Sequence, residues 1–202
     1  MKSIGPSQYR IFRKFYRNAA REMCKDCADF VLPNSKILDF GCGSGTVGKE
    51  FEIFFKSSVL GVDIIDNRIE DIEFIKYNGE DLSFLEENYF DVVLINFVLH
   101  HCKNPKDLLK EIKRVSNDTI ILYENLPEGP LSKIMCYLHG VSFAKLFQKN
   151  KETGKFFTKK EWEDIFKEVG LEVVHSKKAS ALFNPMKEHL FILKKGVCSS
   201  AG

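Results

Sequence analysis

A chain of 202 residues is long enough for one domain with a sizeable core and too short for two comfortable ones. Hydrophobic residues make up 44% and charged residues 29%, as in ordinary globular proteins. Thirty basic and 28 acidic residues leave a net charge of +2, so neither a stable nucleic-acid partner nor a membrane partner is expected.

The sequence shows neither a signal peptide nor an apolar run long enough to span a bilayer, so a cytoplasmic protein is expected. The first residues contain no uninterrupted apolar core and no small-residue cleavage site, so no signal peptide is predicted.

Six cysteines are too sparse for a disulfide framework. Cys24 and Cys27 form a lone CxxC without the second ligand pair that zinc usually needs. Both lie on the apolar stripe of a predicted helix, so we interpret them as core residues and predict no metal site, while a redox or zinc role stays open.

The first half of the chain predicts a helix followed by alternating strands and helices. Residues 9–30 form an amphipathic helix by their spacing, with arginines and a lysine opposite the apolar face. That basic face is either solvated or gives one side of a cleft a positive potential. The next predicted elements are strand 36–40, helix 46–55 and strands 58–63, 72–77 and 91–96.

The second half continues the alternation. Asn104 and Pro105 predict a helix start, with Asn as N-cap and Pro at the first helical position. Strand 119–123 is followed by a less regular stretch over residues 126–157. Thr158 and Glu161 then predict a capping box. The chain closes with predicted strands 171–176 and 189–194, and their short connection suits a hairpin.

This order predicts an α/β fold with helices on both faces of a mostly parallel seven-stranded sheet and one antiparallel strand near the C-terminus. We expect a single domain over residues 1–202. Its predicted parts are a helical lid (1–34), a cofactor-binding half (35–125), a variable substrate or lid insert (126–157), a helix and strand hairpin (158–195) and a tail (196–202).

The strongest signal for function is the segment ILDFGCGSG. A strand contains Asp39 near its end, and Gly41, Gly43 and Gly45 follow at alternate positions before a helix. Glycines there allow a tight turn and close approach of a ligand to the backbone. Ligands of open α/β sheets bind beyond the carboxyl ends of the strands. Asp63 ends the second strand, where a carboxylate can accept two hydrogen bonds from a ribose diol.

The same letters also fit the dinucleotide fingerprint. Gly43 to Gly48 reads GxGxxG, and Asp63 lies 20 residues after Gly43. In that fingerprint, however, the first glycine directly follows the strand, and here that glycine is Gly41. A carboxylate at Asp39 would repel a phosphate and attract an ammonium group. S-adenosylmethionine (SAM) carries an ammonium and a sulfonium and no phosphate, so SAM is favoured over NAD.

On the segments LDFGCGSG, GVDI and DVVLINFVLHH, the chain resembles the class I SAM-dependent methyltransferases. Within them it resembles the type 11 group, which includes enzymes of ubiquinone and menaquinone biosynthesis. The resemblance is close over residues 35–123, although SND replaces the usual kPGG turn before the fifth strand, and it is looser afterwards. It implies a Rossmann-like fold and SAM as cofactor.

The resemblance also implies a cofactor site. The family's adenine-contacting Asp is replaced by Asn78, whose side-chain oxygen can still accept a hydrogen bond from an adenine amino group. The implied cofactor-binding residues are Asp39, Phe40, Gly41, Cys42, Gly43, Gly45, Asp63, Ile64, Asn78, Gly79, Glu80, Asn96 and Phe97.

Candidate catalytic residues lie beyond the fourth and fifth strands. His100 and His101 could accept a proton or orient an acceptor, or they could only cap the strand end. Glu124 and Tyr16 are further candidates, and His139 is a weaker one. Methyl transfer is an in-line displacement in which SAM supplies the electrophile, so the protein mainly aligns the acceptor.

The predicted function is SAM-dependent methyl transfer to a small-molecule acceptor of unknown identity. An RNA or protein methyltransferase is an alternative, although the (D/N)PPY-type motif of amino-nitrogen enzymes is absent because the fourth strand continues as NFVL. A non-catalytic SAM-binding protein is another alternative. An NAD-dependent oxidoreductase is disfavoured by Asp39 and by the glycine register.

Overall fold

The computed structural model describes residues 10–79, 81–147, 155–179 and 186–196. Its strands are β1 Lys36–Phe40, β2 Ser58–Asp63, β3 Glu73–Lys76, β4 Phe90–Asn96, β5 Ser116–Leu126, β6 Leu171–Lys178 and β7 Lys187–Lys195. Its helices are α1 Arg13–Asp26, α2 Thr46–Phe55, α3 Pro105–Val115, α4 Pro130–Phe147 and α5 Lys159–Glu168, and 3₁₀ turns span Ala28–Phe30 and Leu99–His101.

The seven strands form one sheet in the order β3-β2-β1-β4-β5-β7-β6. Strands β1 to β5 pair in parallel, while β7 runs antiparallel to both β5 and β6. The predicted mostly parallel sheet with one antiparallel strand is therefore confirmed. The strand order reverses between β1 and β4, and in such sheets the crevice beyond this point is where ligands bind.

Helices cover both faces of the sheet, as the apolar character of its central strands requires. On one face, α1 and α2 pack through Cys24 and Phe51, and Cys27, which directly follows α1, joins the same cluster. On the other face, α3 and α5 contribute residues such as Ile112 and Trp162. Both cysteines of the CxxC are fully buried in the first of these clusters, in agreement with their interpretation as core residues.

Several predicted elements differ in detail. The first helix ends at Asp26 and continues as the turn Ala28–Phe30. Asn104 occupies the N-cap position, but its side chain makes no capping bond and donates to the Asp107 carboxylate instead. The capping box of α5 is confirmed, since Thr158 N–H donates to the Glu161 carboxylate at 2.7 Å and Glu161 N–H donates to the Thr158 hydroxyl at 3.3 Å.

The prediction of a less regular stretch over residues 126–157 was wrong for most of its length, because α4 occupies Pro130–Phe147. Apolar side chains such as Leu131, Ile134 and Tyr137 are exposed on this helix, whereas Ser132 is buried. Apolar residues are spread around α4 and form no single stripe, so periodicity did not define this helix. None of the described helices has both the length and the apolarity that crossing a membrane requires.

Candidate functional site

The glycine loop between β1 and α2 is folded by backbone conformations that residues with side chains rarely adopt. Gly41, Gly43 and Gly45 have φ values of 72°, 50° and 74°. A Cβ atom on Gly41 would lie 2.3 Å from a methyl carbon of Val98, so the space is also closed to a side chain. The N–H groups of Gly41 and Cys42 both donate to the carbonyl of Val62, which fixes the loop on β2. Backbone hydrogen bonds to β2 thus fix the conformation of the loop.

Asp39 lies beneath this loop and is almost completely buried. Its Oδ2 accepts a hydrogen bond from the backbone N–H of Gly48 in α2, at 3.0 Å. Burial raises the pKa of Asp39 from its ordinary 3.8 to about 7, against the lowering effect of the Gly48 bond, and the charge of Asp63 adds to the rise. A cation placed next to Asp39 would relieve this cost of burying its negative charge.

Asp63, at the end of β2, is bound to the glycine loop. Its Oδ2 accepts a hydrogen bond from the N–H of Gly43 at 2.9 Å, and its Oδ1 accepts one from Ile65 N–H at 3.3 Å. An ionised carboxylate has about four acceptor positions, so Asp63 can still accept from a ligand diol.

The end of β4 completes the edge of the site. Both polar atoms of the Asn96 side chain are buried and make no hydrogen bond of normal geometry with the described residues, although the amide lies close enough to Asp39 to lower its pKa. Buried amides without hydrogen-bond partners are uncommon, so this amide is a candidate for binding a ligand. Phe97 adopts a left-handed φ of 59°, a strained conformation of the kind found at ligand sites.

Two cavities meet at Gly41, Gly43, Asn96 and Phe97. The larger, which we call the cofactor cavity, has a volume of about 660 Å³ and extends past Asp63 to an apolar wall that includes Ile64, Ile65, Leu82, Val98 and Cys102. The smaller, which we call the α1 cavity, has a volume of about 500 Å³ and lies between the glycine loop and α1, where Phe15, Tyr16, Met23, Val47 and Tyr123 line it. The sequence did not predict most of these apolar residues as part of the site.

Ten of the predicted cofactor residues line one or both cavities: Asp39, Phe40, Gly41, Cys42, Gly43, Asp63, Ile64, Gly79, Asn96 and Phe97. Gly45 is not among the described lining residues; it is the N-cap of α2, and its N–H donates to the carbonyl of Cys42. Asn78 is exposed and also outside the described lining, whereas Asp81, which was not predicted, belongs to it. Glu80 lies outside the described residues.

The predicted catalytic residues occupy three different places. Tyr16 lines the α1 cavity, and His101 lines the cofactor cavity. His100 and Glu124 are fully buried and bound to each other, with 2.6 Å between His100 Nδ1 and Glu124 Oε2, and neither is among the described lining residues. The other oxygen of Glu124 accepts the backbone N–H of Leu99 at 2.8 Å. The structure therefore joins His100 to Glu124 and separates both from Tyr16.

His101 and His139 lie next to His100. Burial, together with the neighbouring His100 and His139, lowers the pKa of His101 to about 2. Burial is also the main reason that the pKa of His139 lies below its ordinary value. Both imidazoles are therefore neutral at physiological pH.

The sequence did not predict how α1 is held over the site. Glu50 of α2, which is 3% exposed, accepts hydrogen bonds from both Arg17 and Arg21. Glu70, which is 8% exposed, binds Arg13 through both of its oxygens at 2.7 Å. Three arginines of the predicted basic face thus bind acids of the same chain, which leaves less positive charge for a ligand than the sequence alone indicated.

Comparison with known proteins agrees with this geometry. Residues 12–176 match the family model described as a methyltransferase domain. The fold and the glycine loop define a class I SAM-dependent methyltransferase, and the chain belongs to this family. The cofactor of the family is SAM, which confirms the prediction made from Asp39 and the glycine register.

Two relatives and one solved structure illustrate the similarity. Uncharacterized protein MJ1123 of Methanocaldococcus jannaschii is 30% identical over 152 residues, which are 70% of this chain and 66% of that protein. The ubiquinone biosynthesis O-methyltransferase of Neisseria meningitidis serogroup A is 26% identical over 164 residues, covering 72% of this chain and 67% of the relative. The chain therefore spans about two thirds of the length of these curated relatives. A SAM-dependent methyltransferase from Methanosarcina mazei has a TM-score of 0.65 at 22% identity, covering 84% of this chain and 96% of the other, which supports the fold.

Proposed function

We propose that this chain transfers the methyl group of SAM to a small-molecule acceptor bound beneath α1. The observation that carries this proposal is that the cofactor cavity and the α1 cavity share Gly41, Gly43, Asn96 and Phe97. A ligand lying along the glycine loop can therefore reach both cavities. Its adenosine would occupy the cofactor cavity, and its methionine would lie near Asp39.

The residues of the chain would divide the work of binding the cofactor. Asp39 would attract the ammonium group, and Asp63 would accept hydrogen bonds from the ribose hydroxyls. The apolar wall with Ile64 and Leu82 would pack on the adenine ring. Asn96 would gain partners for its buried amide. SAM supplies an activated methyl group, so the remaining task of the protein is to align the acceptor and to exclude water.

The walls of the α1 cavity favour an apolar, partly aromatic acceptor. Phe15, Met23 and Tyr123 provide apolar surface, and Tyr16 provides a hydroxyl group that can hold or accept a proton at the acceptor atom. The relative named as a ubiquinone biosynthesis O-methyltransferase makes catechols and hydroquinones the first acceptors to test. His101 lines the other cavity, so we assign the contact with the acceptor to Tyr16.

The segments proposed to define substrate choice do not contribute equally. Helix α1, within the predicted lid 1–34, forms one wall of the α1 cavity. None of the described side chains of α4 lines either cavity, so the predicted insert 126–157 would act through its other residues or through packing.

The first test is calorimetric titration of the full chain with SAM and S-adenosylhomocysteine. Asp63→Ala should reduce the affinity by at least tenfold, because both the ribose contact and the bond to the glycine loop are lost. Glu172→Ala, which removes an exposed acid at the far edge of the sheet, is the matched control and should leave the affinity unchanged. A folded protein that binds neither compound would contradict the proposal, and binding of NADH in their place would favour the dinucleotide alternative.

The second test follows radioactive methyl transfer from SAM to a panel of catechols and hydroquinones. Tyr16→Phe should lower kcat while SAM affinity stays unchanged, and Phe15→Leu should mainly raise KM for the acceptor. Transfer to RNA or protein with none to the panel would favour a macromolecular substrate. SAM binding without any transfer would favour a non-catalytic SAM-binding protein.

A further inference from the structure

Three histidines come together beside the carboxyl ends of β4 and β5. His100 and His101 belong to the turn Leu99–His101, and His139 comes from α4. The ring centroids of His100 and His101 are 3.9 Å apart, and His139 lies 5.5 Å from the first and 5.3 Å from the second. One ligand atom from each of the three residues lies within 4.8 Å of the other two.

His100 is held in one orientation. Glu124 binds its Nδ1 at 2.6 Å, and the ring of Phe156 stacks on the imidazole with centroids 4.5 Å apart. Glu124 is itself fixed, because its second oxygen accepts the backbone N–H of Leu99. Histidines that bind metals usually have their other ring nitrogen on a carboxylate or a carbonyl, which sets the tautomer and the orientation of the ring.

The other ring nitrogen of His100, Nε2, is evidence that this site binds a ligand. Nε2 is buried and has no hydrogen-bond partner among the described residues. Leaving a buried polar atom unpaired destabilises the folded state. A purely structural His100–Glu124 pair accounts for Nδ1, but it explains neither the unpaired Nε2 nor the convergence of two further imidazoles from different elements.

We propose that His100, His101 and His139 bind one divalent transition-metal ion of the class that prefers imidazole ligands, such as Zn²⁺. Glu124 orients His100, so it is a positioning residue. At a metal–nitrogen distance of about 2.1 Å, tetrahedral ligands lie about 3.4 Å apart, so binding draws the three nitrogens together. Three protein ligands leave one position for water. His101 also lines the cofactor cavity, so the ion would lie next to that cavity, although the metal site itself does not depend on the proposed function.

The test uses the full chain after removal of metal with a chelator. Zn²⁺ is titrated in competition with a chromophoric chelator, and Co²⁺ binding is followed by its visible absorption. We expect one equivalent of each ion, with a cobalt spectrum typical of nitrogen and oxygen ligands. Less than one equivalent on a folded protein, or a cobalt–thiolate charge-transfer band showing that cysteine holds the ion, would overturn the proposal.

Variants test whether the metal ion binds at the three histidines. His139 is only half-buried, so His139→Ala should fold normally and lose at least 100-fold in affinity for Zn²⁺. The matched control is His175→Ala, which removes a half-buried imidazole on β6, at the edge of the sheet and outside the cluster, and should leave the affinity unchanged. Glu124→Gln should weaken binding by 10–100-fold, as expected of a residue that orients a ligand. Unchanged affinity in His139→Ala would refute the assignment.

Discussion

Gly48 donates its backbone N–H to the buried carboxylate of Asp39 at 3.0 Å, and a Cβ atom on Gly48 would lie 2.8 Å from that same oxygen. The first turn of α2 can therefore reach Asp39 only because residue 48 has no side chain. A glycine inside a helix costs about 1 kcal/mol relative to alanine. Here that cost is offset by a hydrogen bond to a buried charge, which is worth about 1.5–3 kcal/mol.

The variant Gly48→Ala should weaken SAM binding and destabilise the fold. The new methyl group would collide with Asp39 Oδ2 and would lie 3.0 Å from a methyl carbon of Val59, so α2 or the carboxylate must move. Overpacking of this kind costs about 1–3 kcal/mol. Calorimetry should show at least a tenfold loss of SAM affinity, and denaturant unfolding should show the loss of stability.

Ile53→Ala is the matched control for Gly48→Ala, since it changes an exposed position on the same helix. It should leave SAM affinity unchanged. If Gly48→Ala binds SAM like the wild type, the close approach of α2 to Asp39 has no importance for the cofactor.

SAM binding should depend on pH through Asp39. Its pKa is raised to about 7 by burial, so the carboxyl group is largely protonated below pH 7 and must ionise to attract the ammonium group. We expect SAM affinity to be constant well above pH 7 and to fall by about tenfold per pH unit below it. Calorimetry near pH 6 in two buffers of different ionisation enthalpy should detect a released proton. In Asp39→Asn the affinity should be lower and this proton release should be absent; an unchanged release would assign it to another group.

The same raised pKa predicts a stability effect in the absence of SAM. The folded state binds the Asp39 proton more tightly than the unfolded state, whose pKa is near 3.8, so stability falls as pH rises from about 4 to 7. Asp39→Asn removes this loss and can still accept the Gly48 hydrogen bond. It should be more stable than the wild type at pH 8, on the order of 2–4 kcal/mol, and equally stable at pH 4. Urea unfolding at both pH values measures this, with the exposed-site variant Glu172→Gln as the control. An Asn variant that is no more stable at pH 8 would contradict the ionised, buried state of Asp39.

The sequence predicted the sheet and the glycine loop because the signals for both are local. Apolar runs mark β1, β2 and β4, and the glycines after β1 have positive φ values that follow from their residue type. Asp39 and Asp63 could be predicted because each lies at or near the end of a strand. Their positions follow from topology once the strands are known.

The sequence could not predict features that depend on contacts between distant segments. The pairing of His100 with Glu124 spans 24 residues, and the His139 neighbour comes from a helix without a periodic pattern. The apolar lining of the α1 cavity likewise depends on how α1 crosses the sheet. A signal did exist for the anchor of α1, because Glu50 shares a helical face with Val47 and Phe54, but its arginine partners lie 29 and 33 residues away.

The buried Glu50 should control whether α1 stays closed over the α1 cavity. Its side chain is 4% exposed and binds Arg17 and Arg21, which are 31% and 51% exposed. Glu50→Gln removes the charge from both bonds but leaves the arginines access to water, so we expect a loss of about 1–2 kcal/mol. Trypsin should then cleave α1 faster than in the wild type, and methyl transfer should fall more than SAM affinity, because α1 lines the acceptor side. Glu168→Gln, which breaks an exposed ion pair with Lys106 away from the described lining of both cavities, is the control and should change neither quantity. Equal protection of α1 in Glu50→Gln and the wild type would show that apolar packing alone holds this helix in place.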